Sequence, residues 1–170
     1  DPYKAVQTFL EIDGNQMTVG GQTVDLERYK NIYVIGAGKA GAPMSQAVED
    51  TLGNRITQGL VVVKHEHGGP TRIVDIAEAS HPVPNELGVE AGQQILAIAE
   101  KANEDDLVIA LLSGGGSALL VAPAPGLALD DLQIMTDALL ACGATINEMN
   151  CLRKHCSAIK GGQLAAAAYP

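Results

Sequence analysis

The sequence predicts a three-layer α/β fold of the doubly wound type, with helices on both faces of a mostly parallel sheet. Six consecutive apolar residues, 107–112, lack a polar face, which is typical of a strand buried on both sides. Hydrophobic residues make up 46% of the chain and aromatic residues only 3%, so the core must consist of aliphatic side chains. Strand-like and helical patterns also alternate along the chain, as they do in α/β proteins.

The N-terminal elements predict a small covering structure. Residues 3–12 have a short helical pattern, and residues 17–26 alternate around Gly20 and Gly21, which indicates a hairpin with no chemistry of its own. Residues 31–35 form the first apolar run and predict the first buried strand.

A βαβ unit follows. Residues 36–41 form a glycine-rich turn, the next stretch predicts a helix to about residue 52, and residues 59–63 predict a second strand. The predicted inner face of this helix consists of Ala40, Met44, Ala47, Val48 and Thr51.

The middle of the chain predicts a further strand at 72–77, placed at an edge, and then an extended loop at 80–84 fixed by two prolines. Apolar residues at helical spacing between 89 and 99 predict a helix that returns the chain to strand 107–112. Beyond residue 117, helices are expected at 131–141, with Asp130 as N-cap, and at about 145–155. A last, alanine-rich helix follows Gly161 and Gly162.

The segment after strand 107–112 is the strongest candidate for a binding site. Three glycines between two serines leave backbone N–H groups uncovered, and a helix can start directly behind them. This arrangement is typical of an anion pocket. The residues of this loop are Ser113, Gly114, Gly115, Gly116 and Ser117.

The turn after the first strand matches a dinucleotide-binding fingerprint, with glycines at 36, 38 and 41. This predicts an NAD(P)-dependent reductase as one hypothesis. An NAD site needs an acidic residue near the end of the second strand, where this chain has Lys64 and His65. Lys39 lies inside the glycine turn, and a cation there favours a phosphate or carboxylate ligand.

Charge is distributed unevenly. The formal net charge of −9 argues against nucleic acid and anionic membranes as partners. Residues 150–170 nevertheless hold three basic residues and no acid. Helical spacing places Asn150, Arg153, Lys154 and Ser157 on one side of a helix, and Lys160 follows them. Arginine grips carboxylates and phosphates bidentately, so this cluster predicts an anion site.

Other residues carry weaker signals. His81 and His155 are candidate acid/base groups, with a structural role favoured for each. Three cysteines without CxxC spacing predict free thiols in a reducing compartment, and we expect a cytoplasmic protein. No apolar run approaches the roughly 20 residues of a membrane span, so no membrane partner is expected.

Four segments in order resemble the class II glycerate 2-kinases, a family also known under the name hydroxypyruvate reductase. These segments are residues 36–40, 80–84, 112–119 and 150–162. The resemblance implies an N-terminal Rossmann-like domain, a smaller C-terminal domain and a site in the cleft between them. It also implies transfer of the ATP γ-phosphoryl group to D-glycerate, giving 2-phosphoglycerate, with Mg²⁺ or another divalent cation.

The resemblance implies that Lys39 and Arg153 are catalytic. The expected substrate- and phosphate-binding residues are Gly38, Ser113, Gly114, Gly115, Gly116, Ser117, Asn150, Lys154 and Lys160, while the metal ligands remain unassigned. Residues 1–170 are expected to form one domain of a longer protein, with little activity alone and with homo-oligomerisation left open. The alternatives are an NAD(P)-dependent hydroxypyruvate reductase and a non-catalytic sugar-phosphate-binding module.

Overall fold

The computed structural model describes residues 1–169 and is built around a parallel four-stranded sheet with the order β6-β5-β4-β7. Its strands are β4 (Asn31–Ala37), β5 (Gln58–Lys64), β6 (Val74–Ala79) and β7 (Asp106–Leu112). The chain begins the sheet at β4, places β5 and β6 on one side of it and then returns to the other side with β7. The order of winding therefore reverses between β4 and β7, which is where doubly wound proteins bind their ligands.

Helices cover both faces of this sheet, and each face has its own apolar core. Helix α2 (Gly41–Leu52) connects β4 to β5 and packs on one face, where the core includes Val34, Val48 and Val61. Helix α3 (Glu86–Lys101) connects β6 to β7, and with α7 (Gln163–Ala167) it covers the other face. The predicted three-layer α/β fold is confirmed.

The N-terminal residues form a small antiparallel sheet rather than one helix and one hairpin. Helix α1 (Pro2–Phe9) is followed by β1 (Leu10–Asp13), β2 (Gln16–Val19) and β3 (Gln22–Asp25). The predicted hairpin is confirmed, but the prediction of helix to residue 12 is wrong. Leu10 is buried in the core beside α2. Residues 10–13 are therefore stabilised more by pairing with β2 as a strand than they would be as a last helical turn.

The buried face of α2 differs from the predicted one. Of the five predicted residues only Ala47 and Val48 are buried, and the buried stripe includes Ser45 and Glu49 instead. The hydrophobicity pattern missed these two because they are polar. The Ser45 hydroxyl donates to Gly41 O, and the Glu49 carboxylate accepts backbone N–H groups at the start of β6, so both are satisfied inside the protein.

The prediction that residues 107–112 are buried on both sides is wrong for these residues. β7 is an edge strand, Ala110 is exposed and the Leu112 side chain is 62% exposed. Its hydrogen-bonding partner on one side is β4, and none of residues 1–169 pairs with its other side. β6, predicted at an edge, does lie there.

The C-terminal part is helical. A single turn, α4 (Gly116–Leu119), follows the glycine loop, and α5 (Leu129–Ala141) and α6 (Ile146–His155) come after it. Asp130 is not the N-cap of α5. The carboxylate of Asp131 instead accepts the Ala128 N–H, while the predicted start of α6 is confirmed by the Thr145 cap. Across residues 1–169, no helix combines the length and apolar character that crossing a membrane requires.

Candidate active site at the carboxyl ends of β4 and β7

Two loops leave the sheet side by side at the point where the winding reverses. Ala37 and Leu112, the last residues of β4 and β7, are paired in the parallel register. The turn at residues 38–40 and the glycine loop at residues 113–117 therefore start at the same level. Parallel strands bring their carboxyl ends to one edge of the sheet, and this edge holds the predicted Lys39 and Ser113–Ser117.

Direct hydrogen bonds join the two loops. Ser113 N–H donates to Ala37 O at 3.1 Å, and Lys39 N–H donates to Gly114 O at 2.9 Å. The Ser113 hydroxyl oxygen accepts the Ala40 N–H at 3.1 Å. Ser113, predicted to bind substrate, thus already holds the turn that carries Lys39.

The three fingerprint glycines are explained by packing inside the protein. A Cβ on Gly36 would lie 2.2 Å from Leu111 O, and one on Gly38 would lie 2.1 Å from Ser113 Oγ. Gly41 lies against Val61 and Val63 in the same way. In a dinucleotide site the backbone at the second glycine approaches the pyrophosphate. Here Ser113 fills the space beside Gly38, so the match to the fingerprint does not create a pyrophosphate site.

The glycine loop does present unoccupied N–H groups. Gly116 N–H donates to Ser113 O, but the N–H groups of Gly114, Gly115 and Ser117 have no acceptor within residues 1–169. Gly115 has φ +88°, a left-handed conformation that glycine adopts without strain. Because α4 is only one turn long, the anion-binding capacity of this loop comes from its own amides.

Cationic and titratable side chains surround this loop. A Cβ on Gly115 would lie 3.4 Å from Lys39 Cε and 3.0 Å from Cδ2 of His81, so both side chains lie against the same glycine. His67 Nδ1 donates to the Lys39 carbonyl at 3.0 Å. Burial lowers the pKa of His81 below its usual value, and the positive charges of Lys39 and Lys64 lower it further.

Sequence reasoning gave Lys64 and His67 no binding role and favoured a structural role for His81. Lys64 is the last residue of β5, and His67 and His81 follow β5 and β6, so all three lie at the same edge of the sheet as the glycine loop. The sequence did contain a signal, because charged residues directly after buried parallel strands gather at one edge. His155, the other candidate acid/base group, is exposed and bonded through Nδ1 to Cys151 O of its own helix.

A second group of cations lines a cavity of about 430 Å³ next to the same loop. Its polar lining residues are Arg153, Lys160, Ser117, Gln133, Thr136, Ser157 and one acidic residue, Asp137. Burial lowers the pKa of Lys160 to about 8, with a contribution from the positive charge of Arg153. The Lys160 ammonium donates to Leu120 O, just beyond the glycine loop. The other lining residues are apolar, namely Pro82, Val83, Pro84, Val121, Leu132, Met135 and Leu140.

The predicted cation face of α6 is brought to the cavity only in part. Arg153 lines the cavity, whereas Asn150 and Lys154 do not. Lys154 is exposed and lies against Gly161, where a Cβ would be 3.1 Å from Lys154 Cβ. Helix α6 ends at His155, so the spacing does not extend to Ser157. The Ser157 hydroxyl donates to Ala122 O and accepts the Ile159 and Lys160 N–H groups, which is a structural role.

Residues 1–169 contain no group of three or more His, Cys, Asp or Glu side chains placed to hold a metal ion. Lys39, Lys64, Arg153 and Lys160 form no ion pair with a carboxylate in that part of the chain. The cations and free N–H groups at this edge of the sheet suit phosphate and carboxylate ligands, although the carboxylate of Asp137 also lines the cavity.

Comparison with known proteins finds a matching family model and several related proteins. The family model DUF4147, described as a domain of unknown function, matches residues 1–170. A protein of Pyrococcus horikoshii named glycerate 2-kinase is 39% identical over 165 residues, which are 97% of this chain and 37% of that protein. An Agrobacterium vitis protein named putative hydroxypyruvate reductase is 50% identical over 137 residues, covering 81% of this chain and 31% of that protein.

A solved structure has the same fold. The crystal structure of a protein from Pyrococcus horikoshii OT3 is similar with a TM-score of 0.94 and 38% identity. The similarity covers 99% of this chain and 38% of that structure. The chain therefore spans about a third of the length of the relatives it matches.

Proposed function

The chain belongs to the DUF4147 family, and on that premise we propose that it is the N-terminal part of a glycerate kinase. The longer enzyme transfers the γ-phosphoryl group of ATP to a hydroxyl group of D-glycerate and gives 2-phosphoglycerate. The name of the Pyrococcus horikoshii relative, which aligns with 97% of this chain, supports this substrate and reaction.

The observation that carries the proposal is the set of uncompensated cations around unoccupied amides. Lys39 lies against Gly115, Arg153 and Lys160 line the cavity beside Ser117, and none of these cations pairs with a carboxylate within residues 1–169. Cations without partners repel one another, and a bound anion relieves that repulsion. Both D-glycerate and ATP are anions.

The chemistry of phosphoryl transfer suits such a site. The transition state spreads negative charge over the transferring phosphoryl oxygens, and catalysis consists mainly of positioning and charge stabilisation. In our proposal Lys39 and the amides of Gly114 and Gly115 stabilise that charge. Arg153 holds the glycerate carboxylate or a phosphate group.

A nucleotide requires a divalent metal in most phosphoryl transfers, and Mg²⁺ is bound by phosphate oxygens with one or two carboxylates. The described residues contain no group of three or more His, Cys, Asp or Glu side chains placed to hold such an ion. We therefore assign no step to a metal held by these residues.

The reductase alternative has less support. The name of the Agrobacterium vitis relative favours it, but the packing of the fingerprint glycines does not. The amides of Gly38, Lys39 and Ala40 are all bonded within the protein, to Val62 O, Gly114 O and Ser113 Oγ. A dinucleotide pyrophosphate would find no free N–H groups in this turn. The non-catalytic module would use the glycine loop but gives no reason for Lys39 beside it.

Product identification tests the proposal. The full-length protein that contains this chain is incubated with ATP, Mg²⁺ and D-glycerate and followed by phosphorus NMR. We expect a new phosphomonoester resonance coupled to the proton on carbon 2 of glycerate. Oxidation of NADH with hydroxypyruvate, without a phosphoester, would support the reductase instead, and ligand binding without turnover would support the non-catalytic module.

A further inference from the structure

His81 lies at the centre of the candidate site. It follows the carboxyl end of β6, and its imidazole lies against the glycine loop. A Cβ on Gly115 would be 3.1 Å from His81 Nε2 and 3.4 Å from Lys39 Cε. The imidazole and the Lys39 side chain therefore both lie beside the same position of Gly115, whose amide has no acceptor within residues 1–169.

His81 also differs from the other histidines in its hydrogen bonding. His67 donates to Lys39 O, His155 Nδ1 lies 2.8 Å from Cys151 O, and His65 Nδ1 lies 3.6 Å from a Glu78 carboxylate oxygen. The half-buried His81 ring forms no hydrogen bond to another residue among residues 1–169; the backbone of His81 itself is the partner that acts on it. Because the ring is only partly buried and is held by no other residue, a ligand atom can reach its Nε2 beside Gly115.

The charged groups that face His81 come from three segments. Lys39 lies in the turn after β4, Lys64 ends β5, and His67 lies in the turn between β5 and β6. Each of them lowers the pKa of His81, in addition to the effect of burial. The glycine loop that packs against the ring contributes no titratable side chain. His81 is accordingly neutral at neutral pH and able to accept a proton.

We infer that Nε2 of His81 is the group that accepts the proton of the attacking glycerate hydroxyl, which rests on the proposed kinase function. In this step the hydroxyl O–H bond breaks and its proton moves to Nε2. The hydroxyl oxygen forms a bond to the γ-phosphorus, and the bond from that phosphorus to the bridging oxygen breaks. ADP leaves with that electron pair, and imidazolium later returns its proton to solvent. Lys39, whose side chain lies beside the same position of Gly115, stabilises the phosphoryl oxygens.

The test compares His81→Gln with the unaltered full-length protein, using kcat and KM for D-glycerate between pH 5 and 9. Glutamine is of similar size but takes up no proton in this range. We expect kcat to fall about 100-fold or more, with KM changed only a few-fold. The unaltered protein should lose activity towards acidic pH as His81 becomes protonated, and this acidic limb should be absent from H81Q.

His65→Gln is the matched control, because His65 lies at the same edge of the sheet but beside the Glu78 carboxylate, at 3.6 Å, instead of beside Gly115. It should keep both kcat and the acidic limb. A second variant, His81→Ala, is assayed with added imidazole, and a several-fold recovery of kcat supports proton acceptance. A purely structural role would give neither recovery nor a changed pH profile.

Separate outcomes identify which idea fails. If the unaltered protein phosphorylates glycerate but H81Q keeps its kcat, or keeps the acidic limb in its residual activity, the inference on His81 is wrong and the kinase function stands. If H81Q does not fold, as judged by its urea unfolding curve, absence of imidazole recovery in H81A overturns the inference. If the unaltered protein transfers no phosphoryl group, the proposed function fails, and the inference fails with it.

Discussion

At the scale of single residues, Lys39 is an exposed side chain on a fixed backbone. Its N–H donates to Gly114 O at 2.9 Å, and its carbonyl accepts from His67 Nδ1 at 3.0 Å. Gly38, directly before it, touches Ser113 so closely that no side chain fits there. The ammonium group can therefore move to follow a ligand while the point from which it extends stays in place.

Replacing Lys39 by alanine in the full-length protein should lower kcat for glycerate phosphorylation about 100-fold or more, since one stabilising donor in a transition state contributes a factor of this size. Lys4→Ala, at an exposed position in α1, is the matched control and should leave kcat unchanged. Steady-state kinetics check both variants. Near-normal turnover of K39A would remove Lys39 from the mechanism.

Glu49 is a buried charged residue outside the candidate active site. Its carboxylate, only 2% exposed, accepts the N–H groups of Arg72, Ile73 and Val74 where β6 begins. Burial alone would raise the pKa of Glu49, but these three backbone donors and the Arg72 charge outweigh it, and the net pKa is lowered. The carboxylate thus fixes the start of an edge strand.

Replacing Glu49 by glutamine should lower the free energy of unfolding by about 2 kcal/mol at pH 7, because the three N–H groups lose a charged acceptor and an amide NH₂ in place of Oε2 would face the Arg72 N–H. A lowered folded-state pKa means that the stabilisation is complete above the ordinary glutamate pKa of about 4.3 and is lost as the pH falls through the folded-state value. Urea unfolding of both proteins from pH 7 to pH 3 should show the difference shrinking. Asp50→Asn, at an exposed ion pair with Arg72, should cost less than about 1 kcal/mol. A difference that is constant with pH would contradict this account.

At the scale of elements, α3 supports the segment that follows the glycine loop. Gly92, in the buried middle of this helix, lies so close to the chain that a Cβ would be 2.0 Å from Val121 O. Gly88 makes a similar approach to Leu119 O, at 3.0 Å. The backbone of residues 119–121 therefore rests directly on the helix.

Gly92→Ala should destabilise the protein by about 1–3 kcal/mol, because the added methyl group forces helix and segment apart. Helix propensity alone predicts the opposite sign, since alanine favours a helix over glycine by about 1 kcal/mol. Gln93→Ala, at the next and exposed position, should change stability by less than about 0.5 kcal/mol. Urea unfolding measures both. A more stable G92A protein would show that residues 119–121 move to accommodate the methyl group at little energetic cost.

The elements also show how far the sequence could predict the structure. Strands such as 59–63 and the helix before 107–112 were predictable, because they are long, apolar and regularly spaced. Glu49 was missed because a carboxylate interrupts the spacing of apolar residues that marks a buried helix face. Its hydrogen-bond donors are backbone N–H groups 23 or more residues away. The role of Ser113 was missed for the same reason, since its partner Ala40 is distant in sequence. His81 next to Gly115 depends on the order of strands, which local patterns do not contain.

At the scale of the whole molecule, the described residues leave apolar surface uncovered. Leu112 on β7, Ile134 and Leu140 on α5 and Ile146 on α6 are each more than 60% exposed. Strands of parallel sheets are ordinarily covered on both faces, and free strand edges attract further strands. Since the chain spans about a third of the length of its relatives, we expect this surface to be covered in the longer protein.

Residues 1–170 expressed alone should therefore show little or no glycerate kinase activity while retaining weak affinity for phosphate. An assay of ADP release compares this chain with the full-length protein at equal concentration. We expect the cavity beside Arg153 and the amides of the glycine loop to provide this remaining affinity. Full turnover by the isolated chain would contradict the expectation that the rest of the protein completes the site.

The pairing of Ala37 with Leu112 has a consequence for how such proteins can change over evolutionary time. Each strand places the loop behind it, and the two loops touch through Gly38 and Ser113. An insertion of one residue in either strand would move its loop by about 3.3 Å and turn the strand's side chains to the opposite face. Side chains in the loops can be exchanged one at a time, but the lengths of β4 and β7 can only change together.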